Sequence, residues 1–244
     1  MAVRVGAMRI LVLNPNATKS MTDIIARVAR RSAAPGTEIS ATTGQNAPLS
    51  VEGHADAAFA APSLLTTIRD AIPAPDAFVI ACFDDPGLHA AREVAEGPVI
   101  GIAQAAMQMA MILAARFSII TTLPRSVPVI EDLVQKYGAT HACRRVRAIN
   151  LPVLALEAEP DAARRMLLAE ILLARDEDGA EAIVLGCAGM AEMCDWLSGQ
   201  AGLPVIDGVV AAIKFAEAIV GAGYRTSKSG SYAYPRNKSA DGKA

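Results

Sequence analysis

Four cysteines, Cys82, Cys143, Cys187 and Cys194, are the residues of this 244-residue chain best suited to chemistry. They are too few to make a disulfide scaffold at that length. Two of them occupy matching surroundings. The segment DAFVIAC at Asp76–Cys82 parallels AEAIVLGC at Ala180–Cys187, which puts Cys187 105 positions after Cys82. Each ends an apolar run of strand type, and each precedes a helix start, whose positive end favours a thiolate. In Asp84-Asp85-Pro86, Asp85 reads as the N-cap of that helix and Pro86 as its first residue. Negative charge on Asp84 and Asp85 would raise the Cys82 pKa and oppose the helix. Cys194 falls within a helix beside Met190 and Met193, and Cys143 precedes a strand and has no repeat partner. Both read as structural, since free cysteine commonly fills a core.

Two thiols facing one cleft suit proton transfer at a carbon. One, as thiolate, removes a proton from one face; the other, as thiol, delivers a proton to the opposite face. Interconversion of mirror images requires such a pair. Backbone N–H groups of Phe83, Asp84, Ala188 and Gly189 are placed to stabilise an enolate oxygen. Other chemistries lack their residues. The histidines His54, His89 and His141 are scattered, with no metal-ligand spacing. His89 reads as an exposed helix residue rather than a partner for Cys82. The first strand is followed by Asn14-Pro15-Asn16-Ala17-Thr18, not by G-x-G-x-x-G, and a P-loop is missing. Lys19, Lys136 and Lys214 lie in or beside helices, not at a strand end where a pyridoxal lysine would be needed. No cofactor and no metal are expected.

The elements that must position the thiols follow from periodicity. Arg9–Leu13, Thr37–Ala41, Ala77–Cys82 and Val99–Gly101 read as strands, and so do Phe117–Thr121, Val146–Ile149, Ala182–Cys187 and Pro204–Ile206. Helical stretches alternate with them. Met21, Ile24, Ile25 and Val28 mark one helix face, and Val51–Ala71, Arg125–Tyr137 and Asp161–Arg175 read as further helices. GPVIGIAQAA at Gly97–Ala106 also matches LPVIDGVVAA at Leu203–Ala212. The chain is thus read as a duplicated α/β unit: two pseudo-symmetric lobes, each a four-stranded, mainly parallel sheet flanked by helices. The active site falls in the cleft between them, beyond the carboxyl ends of the strands. The loops Thr43–Ser50 and Asn150–Glu159 are expected to line a side-chain pocket, with Gln45, Asn46, Leu151, Val153 and Leu154 among their residues.

Composition agrees. Apolar residues make up 52%, charged residues 20%, and the formal net charge is −2, which is too apolar and too balanced for a disordered chain. Neither nucleic acid nor a membrane surface is an expected partner. No apolar run reaches the ~20 residues of a membrane span, and a cytoplasmic location is expected. Residues 226–244 have no apolar period and carry Lys228, Arg236, Lys238 and Lys243 against Asp241, so they read as disordered.

The chain resembles the Asp/Glu/hydantoin racemase superfamily, and within it the hydantoin and allantoin racemases. The resemblance lies in LVLNPNATKSMT (Leu11–Thr22), PLSVEGHADAAFA (Pro48–Ala60), ACFDDPGLHAARE (Ala81–Glu93), SIITTLPRSVP (Ser118–Pro128) and VLGCAGMA (Val184–Ala191). It implies cofactor-independent racemisation of 5-monosubstituted hydantoins by Cys82 and Cys187. It also implies ring contacts from Asn16, Thr121 and Thr122 and from the backbone of Phe83, Ala188 and Gly189, and a homo-oligomer. The last helix would return to the first lobe, giving lobe 1 as 8–101 plus 208–225 and lobe 2 as 102–207. Amino-acid racemases of the superfamily carry Asp-Ser after the first strand; here Asn16 offers amide groups suited to a neutral ring. Asn16 also fits a turn or cap residue. The same cysteines would serve an aspartate or glutamate racemase, a maleate isomerase or an arylmalonate decarboxylase, the last needing only one of them. A non-catalytic two-lobed binding module has no use for paired thiols.

Overall fold

The computed structural model describes residues 7–236. The first half runs β1 (Met8–Asn14), α1 (Lys19–Ser32), β2 (Thr37–Thr43), α2 (His54–Asp70), β3 (Ala77–Ile80), α3 (Leu88–Val94), β4 (Val99–Gly101) and α4 (Ile102–Leu113). The second runs β5 (Phe117–Thr121), α5 (Val127–Lys136), β6 (Cys143–Ala148), α6 (Ala155–Ala158), α7 (Pro160–Glu177), β7 (Ala182–Leu185), α8 (Cys194–Ala201), β8 (Val205–Ile206) and α9 (Gly208–Gly221). The halves form two four-stranded parallel sheets of identical order, β2-β1-β3-β4 and β6-β5-β7-β8.

Side-chain alternation along the strands explains the layering, because successive residues point to opposite faces. Ile10, Val12, Ala77 and Val79 face the same core as Phe117, Ile119, Ala182 and Val184 from the second sheet. The helices α1, α4, α5 and α9 fill this shared core with Met21, Ile25, Met107, Ile130 and Ile213. Leu13, Phe78 and Ile80 face outward to Leu64, Ile68 and Leu88 on α2 and α3. Ile120, Ile183 and Leu185 face outward to Leu167, Ile171 and Leu197 on α7 and α8. Both faces of each sheet are covered, as its near-continuous apolar strands require.

The two helices that follow the last strand of each half change places. α4 packs along β7 and β8 of the second sheet, and α9 packs along β1, β3 and β4 of the first and against α1 and α4. Each needs a satisfied N-terminus at this crossing. Asp207 caps α9 by accepting from the N–H groups of Val209 and Val210 at 3.2 and 2.9 Å. The segment from Thr226, expected to carry no structure, packs against α3 through Lys228 and Tyr232. Lys228 Nζ reaches the carbonyls of Arg92 and Glu93 at 2.7 and 3.0 Å, and Tyr232 meets His89 Nδ1 at 2.7 Å. The rest of that tail, residues 237–244, lies outside the described residues.

Candidate active site

Both paired thiols lie just beyond a strand end: Cys82 two residues after β3, Cys187 two residues after β7. β3 and β7 occupy equivalent places in their sheets, and the two cysteines line one small cavity between the halves. The cavity is also lined by Asn16, Phe83, Thr121, Thr122 and Ala188, five of the six residues expected around a substrate. The sixth, Gly189, does not line it, but lies so that a side chain built there would come within 3.7 Å of the Cys187 sulfur.

The local helix expectation after Cys82 needs correction. α3 begins at Leu88 with Gly87 as its N-cap, not at Pro86 with Asp85. Asp85 instead takes a positive φ of 43° and turns its carboxylate to the N-terminus of α4. There it accepts from the N–H groups of Ala103 and Gln104 at 3.2 and 3.0 Å and from the Tyr137 hydroxyl at 2.8 Å. A free N-terminus on a central helix outcompetes the local one, because α4 is buried and its first amides have no water to bond. Cys187 is likewise followed by a 3-10 segment, Ala188–Met193, before α8.

Without an adjoining α-helix, burial decides the thiol pKa values. It pushes Cys187 up to about 12, and the Asp84 carboxylate adds to the rise, while the Gly189 N–H at the sulfur opposes it. Burial raises Cys82 in the same way, with Asp84 the next cause and the Asp84 N–H opposing. In each half, then, the backbone N–H two residues past the cysteine favours the thiolate. Asp84 itself is pushed by burial up to about 6, partly offset by His54.

The first strand delivers Asn14 and Asn16. Asn14 Nδ2 donates to Asn16 Oδ1 and to Thr22 Oγ1, each at 2.9 Å, and Asn16 Oδ1 also accepts from the Thr18 N–H at 3.0 Å. Asn16 therefore does serve as a turn residue, while its Nδ2 faces Met21 Sδ at 3.1 Å on the cavity wall. Gly44 presses against this loop: its N–H donates to the carbonyls of Asn14 and Asn16, and a Cβ would sit 2.5 Å from the Pro15 oxygen. On the opposite side Thr121 Oγ1 donates to the Gly186 carbonyl at 3.2 Å.

The roof is built from both halves. Glu52 Oε1 accepts from the Val153 N–H at 3.1 Å, and Ser126 Oγ donates to the Glu52 carbonyl at 3.4 Å. Val51, Val153 and Ser126 consequently line the cavity. Val153 is legible in the sequence, and so is Asp84 through its backbone N–H; Met21, Val51, Ser126 and Gly186 carry no sequence signal that assigns them to the site. Gln45 and Asn46 do not reach the cavity. They line a separate open groove between β1, β2 and α2, with Phe59 and Thr66. Among the described residues no group of three or more His, Cys, Asp or Glu is arranged to hold a metal ion. Among them, too, no helix is long and apolar enough to cross a membrane.

Two like sheets, each with a cysteine just past the end of its third strand and both cysteines lining one cavity, make a racemase-like fold. The chain belongs to the Asp/Glu/hydantoin racemase family, whose model matches residues 10–216. It is 60% identical over 236 residues to a hydantoin racemase of Rhizobium meliloti, covering 96% of this chain and 98% of that one. It is 47% identical to a hydantoin racemase of Pseudomonas sp. (strain NS671), covering 95% and 93%. The solved allantoin racemase from Klebsiella pneumoniae superposes with a TM-score of 0.93 at 49% identity, covering 95% of each chain.

Proposed function

We propose that this racemase interconverts the enantiomers of 5-monosubstituted hydantoins by two-base proton transfer at ring C5. Cys82 and Cys187 are the bases. The observation that carries the reading is that both thiols line one cavity from repeat-equivalent strand ends. The names of its relatives support the substrate class.

In the forward direction one cysteine, as thiolate, takes the C5 proton from its face. The electron pair moves into the C4 carbonyl, giving a planar enolate. The other cysteine, as thiol, gives its proton to the opposite face. The pair ends with its protonation reversed, so the same site runs the reaction from the other enantiomer. Burial makes each thiolate scarce but strongly basic, which suits removal of a carbon-bound proton. The N–H groups of Asp84 and Gly189 steady the thiolates, and those of Phe83 and Ala188 serve the enolate oxygen. Asn16, Thr121 and Thr122 contact the neutral ring.

The test is to incubate the purified protein with one enantiomer of 5-isobutylhydantoin in heavy water with no added cofactor. Loss of optical rotation together with deuterium at C5 supports the proposal. Retention of both rotation and the C5 proton contradicts it.

A further inference from the structure

Asp84 lines the cavity, and the proton transfer gives its carboxylate no hydrogen-bond partner. Its Oδ2 is buried and has no hydrogen-bond partner among the described residues. Buried polar atoms are nearly always paired, and an unpaired one costs about 1–3 kcal/mol, more when charged. Three other polar side chains lining the cavity are already engaged with the protein: Asn16 with Thr18 and Met21, Thr121 with Gly186, Ser126 with Glu52. Asp84 thus presents the cavity with a free acceptor.

Its position narrows the partner. The carboxylate raises the pKa of both Cys82 and Cys187, so it lies within electrostatic reach of each sulfur. It lines the same cavity as both thiols. In the hydantoin reading that cavity holds the flattened ring and the first atoms of the group on C5. Asp84 is also within electrostatic reach of His54 and Asp56, in the first turn of α2 directly after the roof residues Val51 and Glu52. The cavity also has apolar walls: Met21, Val51, Phe83 and Val153.

Resting on the hydantoin reading of this site, we propose that Asp84 selects the 5-substituent by accepting a hydrogen bond from a donor on it. A ureido group, with adjacent N–H donors, meets a carboxylate well. An alkyl group leaves the acceptor unpaired, and a carboxylate-bearing group meets like charge.

The experiment compares kcat/KM for 5-ureidohydantoin and 5-isobutylhydantoin in the wild type, Asp84→Ala and Asp84→Asn. The uncatalysed rate is subtracted, and retained folding is checked by circular dichroism. In Asp84→Ala the ureido-to-isobutyl ratio should fall about tenfold to a hundredfold, chiefly through KM for the ureido substrate. Asp84→Asn, which keeps an acceptor oxygen, should lose less. A hydantoin with a carboxymethyl substituent should gain in both variants. A ratio unchanged within about threefold, or equal losses on both substrates, overturns the proposal and returns Asp84 to a role on the thiols or the ring. Wild-type protein that racemises neither hydantoin fails the racemase reading itself, a result separate from any change in ratio among the variants.

Discussion

The hydroxyl of Tyr137 donates to Asp85 Oδ2 at 2.8 Å, tying the end of α5 in the second half to the loop that carries Cys82 in the first. Asp85 holds the N-terminus of α4 with the same carboxylate. One buried acid thus fixes three things together: the loop after β3, the exchanged helix and the opposite lobe. Tyr137→Phe removes one charge-assisted bond but keeps the ring. It should lower stability by about 1.5–3 kcal/mol, seen as a fall in the urea midpoint. An unchanged midpoint would mean the link carries no load.

Buried acids set the response of stability to pH. Burial lifts Asp84, Asp85 and Asp207 each to about 6 from 3.8. A carboxyl whose folded pKa is raised binds its proton more readily when folded. Its stabilisation is therefore greatest at low pH and is lost as pH rises through about 6. His89, lowered by burial, works the other way, but it is one group against three. Asp178, held low by its bond to Arg147, loses its contribution only at more acidic pH. Thermal unfolding should show Tm rising from pH 8 to about pH 5 and falling below about pH 4. A flat or reversed trend between pH 8 and 5 would contradict the assignment.

Activity should follow the thiols. With Cys187 at about 12 and Cys82 also raised, few molecules hold a thiolate at neutral pH, so kcat should climb across pH 7–9. Asp84→Asn removes a negative charge that disfavours both thiolates. The rising limb for an alkyl hydantoin should then move to lower pH. A limb that stays put, or moves to higher pH, would show that Asp84 does not govern the sulfurs.

Gly44 leaves no room for a side chain beside the Pro15 carbonyl. Gly44→Ala should push away the loop that holds Asn16, costing about 1–3 kcal/mol of stability and raising KM. Wild-type KM and stability in this variant would show that the loop yields freely.

Much of this was legible because the strands are short apolar runs with clear punctuation. Val99–Gly101 and Phe117–Thr121 have the bounds expected, and the matched cysteine blocks lie at equivalent points of two identical sheets. What was not legible depended on distant competition. Asp85-Pro86 has a strong local helix-start pattern, yet Asp85 serves α4, 18 residues away, because that buried terminus had the greater need. Gln45 and Asn46 follow β2 in the chain, but only Val51, beyond them, crosses to the cavity, where the roof is tethered at Glu52 to Val153. The balance of charge and burial at Cys82 needed the depth of the site, which no spacing reveals.

The central claim is that two thiols share one proton transfer. Its most direct test is to prepare Cys82→Ala and Cys187→Ala and give each variant both enantiomers of a 5-substituted hydantoin in heavy water. Each variant should lose racemisation by several orders of magnitude while remaining folded. Any residual C5 exchange should favour opposite enantiomers in the two variants. Full racemisation by either variant would contradict the two-thiol mechanism.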